Sequence, residues 1–285
     1  MGKKRKFFLK ISQRIEKTVI DTIGANRKSN KTVIDTMDAI GANRKSDKTV
    51  ELVEGTKDCF VVRNFLDDDL NVCTDLEKQL ENASGKPKAV FQATSPEEDS
   101  FFYLRCPSIK PEDLTNFSPI VEKVNQSLFQ LFPDVPVCNI AKIVKYGDGS
   151  AHELKSHADK IIDLAPGSNI YTVRFGNEKS MVLTHKESGE KIVIKLPHNT
   201  LLVIGWITNK NFTHGVPTDR TGEGPTYSVV LRTSVTVLHK PSLTLRGDRV
   251  GKSNLPHANK ELIDLWAQEN MTIIADSHYD EYCRK

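Results

Sequence analysis

Two histidines and one aspartate in separate segments of this sequence have the residue types and spacing of a metal site. His157 and Asp159 close a segment that begins at Tyr146, and His214 stands in a second segment far downstream. Because alternate residues of an extended strand point to the same side, His157 and Asp159 are expected to share one face. His214 must then arrive from a different strand. A third segment ends in Arg232, whose guanidinium can pair in bidentate fashion with a carboxylate.

Two imidazoles and one carboxylate on one side of a metal leave its other positions open, which is the ligand set of non-haem Fe(II) oxygenases. Zinc also accepts His and Asp, so the donor types alone leave the metal open. A His-x-Asp pair by itself most often belongs to a polar loop. The distant His and the Arg on a following strand favour a metal site. We therefore predict that His157, Asp159 and His214 are metal ligands and catalytic residues.

The order and spacing of these segments resemble the catalytic core of the AlkB-like Fe(II)/2-oxoglutarate dioxygenases. That family has a Tyr-bearing strand, a Gly-bearing turn, His-x-Asp, a hydrophobic strand, His-x-Val and a closing strand that ends in Arg. The matching residues between Asn139 and Val237 are Tyr146, Asp148-Gly149, His157, Asp159, Thr172 to Gly176, Leu201 to Gly205, His214 to Pro217 and Leu231-Arg232. The resemblance implies a double-stranded β-helix (jelly-roll) core whose mouth holds the metal.

The resemblance also implies the cofactors and the residues that hold them. Fe(II) would be bound by the two His and the Asp, and 2-oxoglutarate and O2 would take the remaining positions. Conversion of 2-oxoglutarate to succinate would be coupled to oxidation of a C–H bond. Tyr146 would offer its hydroxyl to the co-substrate, Ser228 stands at the Asn position of the family's closing strand, and Arg232 stands at its second Arg position. Ser228 and Arg232 share one strand face by parity, so they can act together.

Three positions depart from the family pattern. Thr226 stands where the family has its first Arg, which is expected to hold the far carboxylate of 2-oxoglutarate. Val144 replaces an Asn, and Lys160 follows the metal-binding Asp where nucleic-acid demethylases place an acidic residue. Arg174 and Arg220 are the candidates for a replacement guanidinium.

These features predict an AlkB-like Fe(II)/2-oxoglutarate-dependent dioxygenase that carries out oxidative demethylation or hydroxylation. By family precedent its substrate is N-alkylated nucleic acid, single-stranded DNA or RNA, as in nucleic acid repair. One alternative is a dioxygenase that acts on a protein or a small molecule, which Lys160 favours. The other is a catalytically inactive jelly-roll binding module that keeps the metal residues, which Thr226 favours.

The strand and helix signals predict a mainly β protein with flanking helices (α+β). Helices are expected over 67–83 and from Ser118 onward, as N-terminal supports of the jelly-roll. Strands are expected near 137–146, 169–175, 180–185, 190–196, 200–207, 212–216 and 226–238. Three parts follow from this pattern: a basic, duplicated and weakly ordered tail over 1–57, the dioxygenase domain over 58–240, and an extension over 241–285 with one helix near 258–270.

Charge and cysteine usage suggest where the protein works. Residues 1–50 hold 13 Lys/Arg and 5 Asp/Glu, a net charge of +8, whereas the rest of the chain holds 27 and 32, a net charge of −5. An acidic body fits nucleic acid less well than a basic one. The five cysteines are scattered and odd in number, which favours a reducing compartment. With no apolar run of membrane-spanning length and no signal peptide, we expect an intracellular protein, nuclear or cytoplasmic, away from membranes and monomeric.

Overall fold

The computed structural model of the chain describes residues 48–82, 88–92, 99–104, 114–147, 153–161, 163–218, 224–239, 241–242, 244–247 and 251–254. The duplicated tail and the helix predicted near 258–270 lie outside these residues. The helices are α1 (Val72–Asn82), α2 (Pro119–Leu131) and α3 (Trp206–Asn211). The strands are β1 (Thr49–Leu52), β2 (Cys59–Arg63), β3 (Lys88–Gln92), β4 (Ser100–Phe102), β5 (Leu114–Thr115), β6 (Ile140–Tyr146), β7 (Leu154–His157), β8 (Ile170–Gly176), β9 (Lys179–His185), β10 (Lys191–Leu196), β11 (Thr200–Ile204), β12 (Phe212–Val216), β13 (Thr226–Arg232), β14 (Val237–His239), β15 (Thr244–Gly247) and β16 (Gly251–Asn254).

The described strands form one large sheet and two smaller ones. The large sheet has the order β1-β2-β11-β8-β13-β6-β3-β5, and the second has the order β10-β9-β12-β7. A third sheet, β16-β15-β14-β4, pairs the three described strands that follow β13 with the earlier strand β4. Every pairing is antiparallel except that of β3 with β5. The predicted mainly β jelly-roll with N-terminal helices is confirmed.

The outer face of the large sheet is covered by α1 and α2. Leu76 of α1 and Val124 and Leu128 of α2 belong to one buried cluster with Val173 of β8 and Val229 of β13. Ser118 caps α2, since its side chain accepts a hydrogen bond from the Val121 backbone N–H. The helices thus hold the large sheet from outside and leave its inner face for the site. No helix in the described part of the chain is long and apolar enough to cross a bilayer.

The inner face of the large sheet packs against the β10-β9-β12-β7 sheet. Ile170 and Leu202 from the large sheet share a buried cluster with Met181, Leu183 and Leu196 from the smaller one. Alternation along each strand separates the two environments. On β13, for example, Tyr227, Val229 and Leu231 lie in the outer cluster, so the even-numbered residues face inward.

The sheets extend on both sides of the predicted 58–240 domain. β1 pairs with β2 through Thr49 opposite Arg63, before the predicted start. β15 and β16 pair with each other after position 240. The division of the chain into three parts stays a prediction, but its middle part shares sheets with residues on either side.

The strand predicted over 200–207 ends at Ile204, and α3 begins two residues later. The cause is Asp58, a residue distant in sequence. The backbone N–H groups of Ile207 and Thr208 each donate to its carboxylate at 2.8 Å, and the Thr208 hydroxyl donates at 2.6 Å. A Cβ on Gly205 would lie 2.2 Å from Asp58 Cγ, so only glycine lets the chain turn this close to the cap. An apolar run that predicts a strand is therefore ended by a tertiary contact.

We expect Asp58→Ala to lower the free energy of unfolding by roughly 1–2 kcal/mol, because the first turn of α3 loses its cap. Urea unfolding followed by circular dichroism would measure the change. Asp134→Ala, at an exposed aspartate just after α2, is the matched control and should stay within about 0.5 kcal/mol of the parent. Equal stability of the two variants would contradict the capping role.

Candidate metal centre

The three predicted metal ligands lie together between β7, β12 and the segment after β7. β7 and β12 are antiparallel, and His157 stands opposite His214 in their register. The two imidazole centroids are 4.5 Å apart. One ligand atom from each of His157, Asp159 and His214 lies within 4.8 Å of the others. The structure thus brings together residues that the sequence separates, and their role as metal ligands stays a prediction.

Gly215 explains why β7 can approach β12 so closely. A Cβ at this position would lie 2.9 Å from the Leu154 carbonyl oxygen and 3.2 Å from Ser156 Cα. The register also shifts between His214 and Val216, which is the mark of a β-bulge. A side chain at position 215 would push the two strands apart and separate the imidazoles that they carry.

The Asp159 carboxylate is shared between the imidazoles and an arginine. Its Oδ1 lies 3.7 Å from His157 Nε2 and 3.9 Å from His214 Nε2. Its Oδ2 accepts a hydrogen bond of 2.5 Å from the Arg232 Nε–H. Burial alone would raise the pKa of Asp159, but the charge of Arg232 and its hydrogen bond hold that pKa well below its usual range. The carboxylate is therefore ionised, as a metal ligand must be.

Each imidazole presents its Nε2 atom to Asp159 Oδ1. His157 Nδ1 lies 2.9 Å from the Lys155 carbonyl oxygen. Because a carbonyl only accepts, Nδ1 donates in this contact, and Nε2 is the nitrogen that faces Asp159. Burial lowers the pKa of His214 to about 3, and the charge of Asp159 only partly opposes this. The ring of His214 is thus neutral, which is the form that binds metal.

Asn209 of α3 fixes the backbone of Asp159. The Asp159 N–H donates to Asn209 Oδ1 at 2.9 Å, and Asn209 Nδ2 donates to the Asp159 carbonyl oxygen at 2.8 Å. Asn209 is buried. The sequence pattern does not single out Asn209, because this residue follows an apolar run that predicts a strand. Since Asp58 caps α3, the position of Asp159, the predicted metal ligand, depends on that cap through Asn209.

The residues predicted to hold the co-substrate line one cavity together with the histidines. Tyr146, Ser228 and Arg232 share its wall with His157 and His214. The remaining lining residues are Lys142, Val144, Lys145, Glu153, Leu154, Ile170, Thr172, Met181 and Val230. β6, β8 and β13 of the large sheet therefore form one wall of this cavity, and β7, β9 and β12 contribute the opposite side.

Arg232 has a partner that the sequence did not predict. It pairs with Asp159 within the protein, whereas the sequence assigned it to a carboxylate of the co-substrate. Only its Nε–H is used in that pair, and its terminal amino groups have no hydrogen bond to any of the described residues. The side chain can thus orient Asp159 and still offer donors to the cavity. Its contact with the co-substrate stays a prediction.

The donor set fits Fe(II) with a 2-oxo dicarboxylate. Two imidazole nitrogens and one carboxylate oxygen lie within 4.8 Å of one another, and two His with one carboxylate are the donor set of a facial triad. The phenol, hydroxyl and guanidinium groups that line the cavity are hydrogen-bond donors, which suits an anionic co-substrate. Thr226 is buried, and its hydroxyl donates to the Asn177 carbonyl at 2.9 Å. It therefore offers the cavity no positive charge.

We expect Asn209→Ala to weaken metal binding by roughly tenfold to a hundredfold, as the loss of a residue that orients a ligand typically does. Titration with Co(II), followed by its visible absorption, would measure the affinity. Asn211→Ala, at the end of the same helix, removes an amide that does not contact Asp159 and should bind Co(II) like the parent. Equal affinities of the two variants would show that Asn209 does not position the ligand.

The sequence is similar to those of known proteins. Residues 74–250 match the 2OG-Fe(II) oxygenase superfamily. The DNA oxidative demethylase ALKBH2 of Homo sapiens is 33% identical over 102 residues, which are 33% of this chain and 39% of that protein. The protein of the same name from Mus musculus is 27% identical over 122 residues, 40% of this chain and 50% of that protein. A solved structure titled "The structure of OsALKBH1" covers 61% of this chain and 96% of its own, with a TM-score of 0.44 and 12% identity.

The chain spans half or less of the length of the curated relatives that it matches. The resemblance to AlkB-like enzymes that the motifs predict is confirmed by these relatives, and Fe(II), 2-oxoglutarate and O2 are the cofactors that the superfamily uses. The superfamily match spans more than half of the chain and includes both histidines, the aspartate and Arg232. The chain therefore belongs to the 2OG-Fe(II) oxygenase superfamily.

Proposed function

We propose that this chain is an AlkB-like Fe(II)/2-oxoglutarate-dependent dioxygenase that removes or hydroxylates an N-alkyl group on single-stranded DNA or RNA. The observation that carries the proposal is the cluster of His157, Asp159 and His214 at the edge of a donor-lined cavity. The curated relatives that the chain matches are named DNA oxidative demethylases, which supports the substrate class.

The residues of the cluster would hold Fe(II) through His157 Nε2, His214 and Asp159 Oδ1. The iron, with 2-oxoglutarate and O2, supplies oxidation of a C–H bond while 2-oxoglutarate becomes succinate and CO2. Arg232 keeps Asp159 ionised and aims its Oδ1 at the histidines. Tyr146 and Ser228 offer hydroxyl groups to the co-substrate from the cavity wall. An alkyl group oxidised next to nitrogen would then leave as an aldehyde.

The charge distribution bears on how nucleic acid would be held. The net charge of +8 over residues 1–50 opposes the net charge of −5 over the rest of the chain. We propose that the basic tail supplies the contacts to phosphate groups, because such contacts provide most of the sequence-independent affinity for nucleic acid. The catalytic body would then need to recognise only the alkylated base.

A second candidate is a dioxygenase that acts on a protein or a small molecule. The acidic body favours it, and so does Lys160, which stands next to the metal-binding aspartate where demethylases of nucleic acid have an acidic residue. In either case we propose an intracellular setting, nuclear or cytoplasmic, for a monomer. The free cysteines Cys59, Cys73 and Cys138 agree with a reducing compartment.

Purified full chain with Fe(II), ascorbate, O2 and 2-oxoglutarate is expected to form succinate. His157→Ala should abolish this activity, because the metal loses one of three protein ligands. His239→Ala, which changes a histidine on β14 outside the cluster, is the matched control and should keep it. Succinate that persists in His157→Ala would overturn the assignment of the centre.

The substrate class is tested in the same assay with two oligonucleotides, one carrying N-methylated bases and one of identical sequence without them. We expect the methylated strand alone to stimulate succinate formation and to release formaldehyde in equal amount. Equal stimulation by both strands, or by neither, would favour the protein or small-molecule substrate. No succinate under any condition, with metal still bound, would favour the inactive binding module.

A further inference from the structure

We infer that Arg174 of β8 holds the far carboxylate of 2-oxoglutarate, in place of the Arg that the family carries at the position of Thr226. The inference rests on the proposed function and names the residue that completes its co-substrate site. It would also remove the main reason for regarding the chain as an inactive binding module.

The register of the large sheet places Arg174 next to the co-substrate residues. Arg174 stands opposite Ser228 on β13 and opposite Thr200 on β11. Ser228 lies on the inward face of β13 and lines the cavity, and Thr172, two residues before Arg174 on β8, lines it as well. Arg174 therefore points into the space between the sheets, where it is fully buried.

The guanidinium of Arg174 lies beside the third co-substrate residue. Its central carbon is 5.2 Å from the centroid of the Tyr146 ring. Burial raises the pKa of Tyr146, whereas the charge of Arg174 and polar contacts with Ser228 and Arg174 act in the opposite direction. The phenol of Tyr146 and the hydroxyl of Ser228 line the cavity, and the guanidinium of Arg174 lies beside that phenol. All three can donate hydrogen bonds, and the guanidinium stays charged when buried.

The cavity-lining residues of β13 run from Ser228, which stands opposite Arg174, to Arg232. Ser228, the cross-strand partner of Arg174, lies four residues before Arg232 on β13, which separates their Cα atoms by about 13 Å. Arg232 is at the metal end, because it pairs with Asp159. A five-carbon dicarboxylate bound to the metal by its 2-oxo acid end would extend toward Arg174 with its other carboxylate.

The pairing of β8 with β13 allows the positive charge that the family has at position 226 to be supplied from β8 instead. Thr226 stands opposite Gly176 on β8, and Arg174 is the next inward-facing residue of that strand. Thr226 and Arg174 are therefore diagonal neighbours, about 7–8 Å apart, which is within reach of a long side chain. A guanidinium that starts from position 174 can occupy the region that an arginine at position 226 would reach. The family's carboxylate partner is thus replaced from the adjacent strand.

Lys145 also lines this cavity but pairs with Glu77 at 2.8 Å, so among the described lining residues the cation that competes with Arg174 is Lys142. It lines the cavity from β6 and stands opposite Val230, which is nearer to Arg232 than Ser228 is. Lys142 is partly exposed, whereas Arg174 is fully buried beside Tyr146 and Ser228. A guanidinium also matches the two oxygens of a carboxylate, which an ammonium group does not. These differences favour Arg174 for the far carboxylate.

The test compares two co-substrates that differ only at their far end. The full chain is loaded with Mn(II) and kept without O2, and the affinities of 2-oxoglutarate and 2-oxopentanoate are measured by calorimetry. Arg174→Gln is expected to weaken 2-oxoglutarate binding by about tenfold to a hundredfold, which is the effect of losing a charge-assisted hydrogen bond. It should leave 2-oxopentanoate binding unchanged, because that acid lacks the second carboxylate.

Three further variants keep the test decisive if Arg174→Gln folds poorly. Arg174→Lys retains the buried charge and should lose part of the preference for 2-oxoglutarate. Arg174→Gln combined with Thr226→Arg returns a guanidinium to the family position. This double variant should regain the preference for 2-oxoglutarate over 2-oxopentanoate. Arg232→Ala changes the metal end and should weaken both acids alike.

The outcomes separate this inference from the proposed function. If the parent binds no 2-oxoglutarate, the proposed function and the inference both fail. If the parent binds it and Arg174→Gln weakens both acids equally or neither, only the inference fails, and the role of Arg174 is structural. If Lys142→Gln loses the preference for 2-oxoglutarate over 2-oxopentanoate and Arg174→Gln keeps it, Lys142 is the residue that binds the far carboxylate. That result would also overturn the inference.

Discussion

The Asp159 carboxylate is the point on which the rest of the site depends. Its two oxygens serve different partners, Oδ1 facing the imidazoles of His157 and His214 and Oδ2 accepting from Arg232. A carboxylate buried with two neutral imidazoles alone would tend to take up a proton, because burial disfavours its charge. The guanidinium prevents this and fixes the direction of the free oxygen. The same ion pair therefore maintains both the charge and the geometry that a divalent metal needs.

Each partner of Asp159 is delivered by a different element. β7 and β12 bring the two imidazole centroids to 4.5 Å from each other, and they can do so because Gly215 has no side chain to separate the strands. β13 brings Arg232 from the opposite sheet. α3 holds the backbone of Asp159 through Asn209, and α3 itself begins where Asp58 caps it. A site made from three strands of two facing sheets and one helix requires the core between these sheets to be well packed, which the buried cluster between them provides.

The sequence predicted the parts of this arrangement that follow from local periodicity. Alternation along β13 placed Ser228 and Arg232 on one face, and the order of the motifs indicated the jelly-roll and its metal residues. The sequence pattern did not predict contacts between residues that are distant in the chain. The pair of Arg232 with Asp159, the clamp by Asn209 and the cap by Asp58 are tertiary contacts that no pattern of neighbours encodes. The apolar run ending at Ile207 predicts a strand to 207. The helix begins earlier because of the Asp58 carboxylate, which lies 149 residues away in the chain and is invisible to a local pattern.

The substitution at position 226 shows why a missing motif residue is weak evidence for lost function in a β-sheet protein. A motif fixes residues along one strand, but a ligand meets a surface made by several strands. Adjacent strands place side chains within a few ångströms of one another on the same face, so one charge can be supplied from either strand. In this chain Thr226 leaves the family position without a charge, and fully buried Arg174 points inward from the next strand beside the same tyrosine and serine. The chemical requirement of the ligand, a cation at the end of the cavity, is a property of the surface, and the sheet allows more than one sequence to meet it.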